Sequence, residues 1–211
     1  MNNIKISTII TSGGLSTRFG SNKLLEKIGD KSVIETTILK FIDLSDEIII
    51  PCQEEIKEHI INSKFFNKKI KFTQAGKTRQ ESVYNGILNC SSPEIVLIHD
   101  GARPFIEKET IKKCIELTYE KKAVIVGTMA IDTIKKVENG KIIKTIDRNT
   151  IFQAQTPQAF EYELIKKIHT HYKNNANFTD DSSMAEAFGT DVFILEGSKN
   201  NKKITTKEDL A

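Results

Sequence analysis

The chain has 211 residues, of which 38% are hydrophobic and 28% are charged, and this composition is typical of one globular domain over residues 1–211. The formal net charge of +3 is spread along the chain without a run of lysine or arginine longer than a pair, so no nucleic-acid partner is indicated. No apolar run approaches the ~18 residues of a membrane-spanning helix, which argues against a membrane partner. Three widely spaced cysteines without a Cys-x-x-Cys motif are typical of a reducing compartment, so we expect a cytoplasmic protein.

Apolar runs of strand length alternate with segments of helical periodicity through the first part of the chain. Strands are predicted at Ile4–Thr11, Glu47–Ile50, Ile70–Thr73, Ile95–His99 and Ala123–Met129. Helices are predicted near Val33–Phe41, Glu54–Phe66, Arg79–Asn89 and Lys108–Lys121. The alternation predicts an α/β fold, in which a mainly parallel sheet carries helices on both faces.

A glycine pair follows the first predicted strand. Gly13 and Gly14 carry no Cβ, so they tolerate positive φ and allow backbone N–H groups to approach phosphate oxygens closely. Arg18 and Lys23 then add positive charge where a triphosphate would lie. The spacing fits neither the Walker P-loop nor the dinucleotide-binding motif, which argues against a Walker ATPase. The loop therefore predicts a nucleoside-triphosphate site, and the alternative is a tight strand-to-helix turn whose charges are only solvated.

A carboxylate stands at the end of the fourth predicted strand. The strand ends in His99 and Asp100, and a Gly-Ala-Arg-Pro turn follows. At the carboxyl end of a strand, opposite the glycine loop, the Asp100 carboxylate is well placed to hold Mg²⁺ against a triphosphate. For His99 we expect a structural role with satisfied hydrogen bonds.

The alternation ends at a polar segment that predicts a β-hairpin. Thr133–Asp147 contains Asn139-Gly140 between two alternating stretches, which is typical of a type I′ turn. Its strands are too polar to form a core of their own, so we expect a projecting β-arm over about residues 133–153 that pairs with another subunit. The remaining predicted elements are helices near Tyr162–Tyr172 and Asp181–Phe188, a strand at Val192–Leu195, and a final helix with a capping box at Thr205 and Glu208.

Seven sequence blocks carry a more specific indication. They are GGLSTRFGSNK, AGKTRQESV, IHDGARPF, AIDT, IDRNTIFQAQTPQAF, TDDSS and KKITTKEDL. Together, and in this order over nearly the whole chain, they resemble the 2-C-methyl-D-erythritol 4-phosphate cytidylyltransferase family. The resemblance implies a Rossmann-like nucleotidyltransferase fold, a homodimer joined through the β-arm, and Mg²⁺ as cofactor. It also implies the reaction of CTP with 2-C-methyl-D-erythritol 4-phosphate, a step of the non-mevalonate isoprenoid pathway.

The resemblance assigns roles to individual residues. Catalytic residues are implied at Arg18, Lys23, Arg148 and Lys203, with Arg148 coming from the arm of the partner subunit. CTP contacts are implied at Ser12, Gly13, Gly14, Ala75, Gly76, Arg79 and Ser82. Contacts to a polyol phosphate are implied at Arg103, Thr133 and Thr156, and the metal ligand is implied at Asp100. The nucleophile would be an ionised phosphate monoester, so this chemistry requires no general base and no covalent nucleophile.

Two departures from the family pattern leave alternatives open. The family usually has Pro-Lys-Gln where this chain has Asn22-Lys23-Leu24, so Lys27 is the alternative for the loop lysine. The sequence stops at Ala211, just inside the last predicted helix, where relatives usually continue.

Two rival functions also stay open. Ribitol-5-phosphate cytidylyltransferase performs the same chemistry, but its blocks tend towards Ser-Val-Arg-Pro and Asn-Arg. This chain instead has Gly101-Ala102-Arg103-Pro104 and Asp147-Arg148, which favour methylerythritol phosphate. The second rival is a module that binds a nucleotide without turnover, and the presence of Arg18, Lys23 and Asp100 disfavours it.

Overall fold

The computed structural model describes residues 4–12, 22–174 and 178–210, so Gly13, Gly14 and Arg18 of the predicted phosphate loop lie outside the described residues. The strands are β1 (Ile6–Thr11), β2 (Lys27–Ile28), β3 (Lys31–Ser32), β4 (Glu47–Cys52), β5 (Ile70–Gln74), β6 (Ile95–Asp100), β7 (Ala123–Met129), β8 (Ile134–Glu138), β9 (Lys141–Ile146), β10 (Phe152–Glu161) and β11 (Phe193–Glu196). The helices are α1 (Val33–Phe41), α2 (Glu54–Ile61), α3 (Arg79–Leu88), α4 (Lys108–Lys121), α5 (Tyr162–His171) and α6 (Asp181–Ala187), with short 3₁₀ helices at Arg148–Thr150 and Lys207–Leu210.

The main sheet has seven strands in the order β11-β7-β10-β6-β1-β4-β5. Neighbouring strands are parallel, except that β10 runs antiparallel to both β6 and β7. The prediction of a mainly parallel sheet is therefore confirmed. Because β4 lies on one side of β1 and β6 on the other, the chain order switches at β1, and the carboxyl ends of these strands border a crevice where ligands bind in such folds.

Helices cover both faces of the sheet because the side chains of each strand alternate between the faces. In β1, Ile10 packs into one hydrophobic cluster and Ile9 into another. The cluster of Ile10 contains buried apolar residues of α1, α2 and α4, whereas the cluster of Ile9 contains those of α3, α5 and α6. The sheet therefore has a hydrophobic core on each of its two faces, as the α/β prediction requires.

Strand β10 is the main element that the sequence analysis misses. It enters the middle of the sheet, and residues 152–153 already pair with β7, so the predicted arm over residues 133–153 is wrong at its C-terminal end. A proline in this segment argues against a central strand when only the sequence is known, because proline cannot donate a ladder hydrogen bond and is confined to edges and bulges of sheets. Pro157 lies within the register shift between Ala154 and Gln158, where the pairing with β7 is interrupted.

The predicted hairpin is present as β8 and β9. Asn139 and Gly140 have φ angles of 49° and 77°, and positive φ at both central residues is what a type I′ turn requires. Within the described residues, these strands pair only with each other, and Val137 and Ile142 are more than half exposed. The hairpin thus stands outside the main sheet with apolar side chains in solvent.

Two element boundaries differ from the predictions. Helix α2 ends at Ile61 rather than Phe66, and the Asn67 side chain accepts from the Lys69 N–H in a turn that leads into β5. At the C-terminus, Asp209 rather than Glu208 accepts from the Thr205 backbone, so the predicted capping box is wrong. None of the helices in the described ranges is long and apolar enough to cross a membrane.

Candidate active site

Asp100 ends β6 and is the centre of a cluster of cationic side chains at the carboxyl edge of the sheet. Its carboxylate oxygens lie 2.8 Å from Lys203 Nζ, 3.4 Å from Arg79 Nε and 3.6 Å from Arg103 Nε. Burial alone would raise the pKa of Asp100, but the charges of Arg79 and Lys203 outweigh it and hold the pKa well below its usual range. Three cations therefore converge on one buried, ionised carboxylate.

The cations come from three separate segments of the chain. Arg79 is the first residue of α3, and the Thr78 side chain caps this helix by accepting from a backbone N–H. Arg103 lies in the turn after β6, and Lys203 follows β11. Arg103 is only three residues from Asp100 in the sequence, whereas tertiary folding brings Arg79 and Lys203 to the carboxylate.

Thr156 of β10 orients the end of β6. Its hydroxyl accepts from the Asp100 backbone N–H at 3.1 Å and lies 3.0 Å from His99 Nδ1. His99 Nε2 lies 3.0 Å from the Arg103 carbonyl, which can only accept, so Nε2 carries the proton and the Thr156 hydroxyl donates to Nδ1. Burial lowers the pKa of His99 to about 4, which keeps the ring neutral. His99 thus has the structural role that the sequence predicts.

Asp181, at the start of α6, is a second carboxylate partner of Arg79. Its Oδ2 accepts from Arg79 Nη1 at 2.7 Å, and its Oδ1 accepts from His169 Nε2 at 3.0 Å. Burial alone would raise the pKa of Asp181, but Arg79 and His169 outweigh it and lower the pKa to about 2. Neither Asp181 nor His169 is among the site residues predicted from the sequence. The TDDSS block could have pointed to Asp181, whereas no motif marks His169.

Asn201 is another residue that the sequence analysis does not single out. It is fully buried, and its Nδ2 donates to the Thr156 carbonyl and to Gln155 Oε1, each at 2.9 Å. The Asn201 backbone carbonyl accepts from Arg103 Nη1 at 2.8 Å. Asn201 therefore fixes the segment that carries Lys203 against β10 and the turn after β6.

In the part of the chain that the structure describes, two cavities open along the carboxyl edge of the sheet. One has a volume of about 290 Å³ and is lined by Asp100 with its three cationic partners, by residues of β10 and by the segment before α6. The other has a volume of about 610 Å³ and lies at the ends of β4 and β5, where Ala75 and Gly76 line it. The residues predicted to contact cytosine and the acceptor phosphate thus line two cavities at one edge.

Gly76 and Ser82 connect the end of β5 to α3. The Gly76 N–H donates to Ser82 Oγ at 2.9 Å, and that hydroxyl donates to the Thr78 carbonyl at 2.9 Å. A Cβ on Gly76 would lie 2.5 Å from the Glu81 Cβ and 2.7 Å from the Ser82 backbone nitrogen. The close approach of the backbone to α3 therefore requires glycine at this position.

The described residues beside the phosphate loop are Ser12, Lys23 and Lys27. The Ser12 hydroxyl donates to the Pro51 carbonyl at 2.8 Å, which links β1 to β4 at the carboxyl edge. Lys23 is half-buried in the turn before β2, and Lys27 is exposed on β2. Lys23 stays the prediction for the loop lysine, with Lys27 as the alternative.

Thr133 and Arg148 lie at the base of the hairpin. Both residues are exposed, and the Arg148 guanidinium donates to the Ile131 carbonyl. Neither residue is among those that line the cavity at Asp100. The acceptor contact of Thr133 and the supply of Arg148 in trans both stay predictions.

Sequence comparison relates the chain to known proteins. A sequence model described as IspD, 2-C-methyl-D-erythritol 4-phosphate cytidylyltransferase, matches residues 6–211. The 2-C-methyl-D-erythritol 4-phosphate cytidylyltransferase of Clostridioides difficile (strain 630) is 44% identical, over 97% of this chain and 90% of that protein. The chain belongs to the 2-C-methyl-D-erythritol 4-phosphate cytidylyltransferase family.

Solved structures relate the fold to the same family. The 4-diphosphocytidyl-2C-methyl-D-erythritol synthase of Anaerococcus prevotii DSM 20548 matches with a TM-score of 0.87 and 31% identity, covering 98% of this chain and 95% of that chain. The 2-C-methyl-D-erythritol 4-phosphate cytidylyltransferase of Francisella tularensis matches with a TM-score of 0.83 and 32% identity, covering 98% and 96%. The predicted nucleotidyltransferase fold is confirmed.

The fold brings together five of the residues that the family resemblance singles out. They are Arg79, Asp100, Arg103, Thr156 and Lys203, and all line the cavity of about 290 Å³. Arg79, predicted as a CTP contact, therefore shares a cavity with the predicted metal ligand and with predicted acceptor contacts.

The donor set at Asp100 is compatible with Mg²⁺. Among residues 4–12, 22–174 and 178–210, no group of three or more His, Cys, Asp or Glu side chains could hold a metal ion. Mg²⁺ nevertheless needs only one or two carboxylates when substrate phosphates and waters supply its other ligands, so one carboxylate fits. Because both Asp100 oxygens pair with cationic side chains, a bound Mg²⁺ would share these oxygens with Lys203, Arg79 and Arg103.

Proposed function

We propose that the chain transfers the cytidylyl group of CTP to 2-C-methyl-D-erythritol 4-phosphate, giving 4-diphosphocytidyl-2-C-methyl-D-erythritol and pyrophosphate in the non-mevalonate isoprenoid pathway. The observation that carries the proposal is the convergence of Lys203, Arg79 and Arg103 on Asp100 at the carboxyl edge of the sheet. Such a cluster presents fixed positive charge to phosphate groups. Membership in the cytidylyltransferase family supports the same reaction.

Fixed positive charge is the main requirement of this reaction. The acceptor's phosphate monoester is largely ionised at neutral pH, because its second pKa is near 6, so it attacks the α-phosphorus of CTP without a general base. Pyrophosphate leaves as the new phosphoanhydride bond forms. Negative charge develops on the phosphoryl oxygens, and Lys203 and Arg103, already held in place by Asp100, stabilise it without reorganisation.

We assign the two substrates to the two cavities. The larger cavity, lined by Ala75 and Gly76, would receive the cytosine and ribose, for which the family resemblance selects this segment. The smaller cavity, with Arg103, Lys203 and Thr156 in its lining, would receive the acceptor phosphate.

We also propose that Asp100 holds Mg²⁺. When bound, the ion would neutralise phosphate charge and orient the triphosphate. The chain's own contribution is the placement of the carboxylate, since Thr156 fixes the Asp100 backbone N–H and Lys203 pairs with its Oδ2.

A homodimer and a cytoplasmic location complete the proposal. The exposure of Val137 and Ile142 on the hairpin supports pairing of the arm with a second chain. The three cysteines are free thiols, which supports a reducing compartment.

The decisive experiment measures pyrophosphate release with CTP, Mg²⁺ and either 2-C-methyl-D-erythritol 4-phosphate, ribitol 5-phosphate or no acceptor. We expect release only with the first acceptor, and loss of release when a chelator removes Mg²⁺. The matched variant Asp100→Asn keeps the shape of the side chain without its charge, and the rate should fall at least about 100-fold. Preference for ribitol 5-phosphate, or full activity in excess chelator, would refute the corresponding part of the proposal.

A further inference from the structure

A chain of polar contacts runs from α5 to the cluster at Asp100. His169 Nε2 donates to Asp181 Oδ1 at 3.0 Å, and Asp181 Oδ2 accepts from Arg79 Nη1 at 2.7 Å. Arg79 Nε in turn lies 3.4 Å from Asp100 Oδ1. Asp181 thus offers a different oxygen to each partner, and Arg79 offers a different nitrogen to each carboxylate.

His169 is buried although its imidazole ring carries two polar nitrogen atoms. The side chain is fully buried, and its ring stacks on Tyr84 with 6.2 Å between centroids and 7° between planes. Its Nδ1 has no hydrogen-bond partner in the part of the chain that the structure describes. An apolar side chain of similar volume would fill this space without burying an unpaired nitrogen, so packing alone does not account for an imidazole here.

We propose that His169 is a positioning residue for the nucleotide: it fixes the Asp181 carboxylate, which holds Arg79 at the cavity beside Asp100. The inference rests on the proposed function and on the CTP contact that the family resemblance implies for Arg79. Without the His169 donor, Asp181 Oδ1 would be a buried charged oxygen that lacks its partner, which is unfavourable. The carboxylate would then turn to share both oxygens with the guanidinium, since bidentate pairs are the stronger ones, and this would draw Arg79 away from Asp100.

Three variants separate the hydrogen bond of His169 from its volume. His169→Gln keeps an N–H donor near the position of Nε2, His169→Leu keeps only volume, and His171→Gln changes an exposed histidine on the same helix as the control. In His169→Leu the KM for CTP should rise about tenfold, because a hydrogen bond to a charged group is lost, while kcat should stay within about twofold of the wild type. In His169→Gln and His171→Gln both the KM for CTP and kcat should stay within about twofold of the wild type. A general loss of folding would instead lower kcat through the active fraction and leave the KM for CTP unchanged.

A second measurement reports on Arg79 without turnover. Heteronuclear NMR of the Arg79 Nε–H group, assigned by its disappearance in Arg79→Lys, should give a shifted resonance in His169→Leu and a nearly unshifted one in His169→Gln. The inference is overturned if His169→Leu leaves both this resonance and the KM unchanged, or if Leu and Gln cause equal changes. If the wild-type chain does not turn over CTP, the proposed function fails, and the Arg79 resonance alone decides the inference.

Discussion

Lys203 and Lys202 are neighbours in the sequence with different surroundings. Both side chains are exposed, but Lys203 Nζ lies 2.8 Å from Asp100 Oδ2 and lines the cavity at Asp100, whereas Lys202 is not among the residues that line it. A cation aimed at a developing transition state acts chiefly on the chemical step, so Lys203→Ala should lower kcat about 100-fold and Lys202→Ala should leave it within about twofold. Steady-state pyrophosphate release measures both variants. Equal rates in the two would argue against a catalytic role for Lys203.

Asp181 gives the site a dependence on pH that can be tested by unfolding. Its pKa is about 2 in the folded chain and near 3.9 when unfolded, so its ionisation stabilises the fold above the unfolded value and this contribution is lost as the pH falls towards 2. Between pH 5.5 and pH 3, urea unfolding should show a decrease in free energy that is about 1 kcal/mol larger in the wild type than in Asp181→Asn.

The control for this pH effect is Asp191→Asn, which removes an exposed carboxylate from the same region of the chain. Its decrease in unfolding free energy should match that of the wild type. Parallel pH curves for the wild type and Asp181→Asn would refute the depressed pKa of Asp181.

At the scale of single residues, the sequence identifies charged residues of the site but not the residues that hold them in position. Asp100 and Lys203 lie in recognisable blocks, and the fold brings their charges within 2.8 Å. His169 and Asn201 act through buried hydrogen bonds to residues that are distant in sequence. Such partners exist only after folding, so neither periodicity nor motif spacing could have indicated them.

At the scale of elements, the parallel strands are predictable and β10 is not. Strands buried on both faces appear as continuous apolar runs, as in residues 95–98 of β6, whereas β10 contains three glutamines and a proline. Its position places Thr156 beside the Asp100 N–H. The strand that completes the site is therefore the one whose sequence least resembles a strand.

At the amino edge of the sheet, a substitution can test stability without affecting catalysis. Glu47 begins β4 and is buried, and its carboxylate accepts from the Ser7 hydroxyl of β1, from the Ser91 N–H at 2.7 Å and from Lys71 of β5. Weakening these charge-assisted hydrogen bonds in Glu47→Gln should lower the free energy of unfolding by about 2 kcal/mol. Because the site lies at the opposite edge, kcat should not change, and a reduced kcat with unaltered urea unfolding would contradict this division of roles.

At the scale of the whole molecule, the hairpin of β8 and β9 is the feature whose apolar side chains a single chain leaves exposed. An isolated two-stranded hairpin is marginal in water, and Val137, Ile142 and Ile143 are all more than half exposed on this one. Pairing of two arms about a twofold axis would cover these side chains and the strand edges. It would also bring Arg148, at the base of the arm, towards the second chain.

If Arg148 acts in trans, two inactive variants should complement each other. In a heterodimer of Arg148→Ala and Lys203→Ala, one site combines an intact Lys203 with an intact Arg148 from the partner, while the other site lacks both. Random exchange of equal amounts should therefore restore about one quarter of the wild-type activity, because half of the dimers are mixed and each has one complete site. Lys203→Ala mixed with Asp100→Asn is the control, since both changes damage the chain's own site and no complete site can form. A strictly monomeric protein in sedimentation, or no recovery after demonstrated subunit exchange, would show that Arg148 does not serve the partner's site.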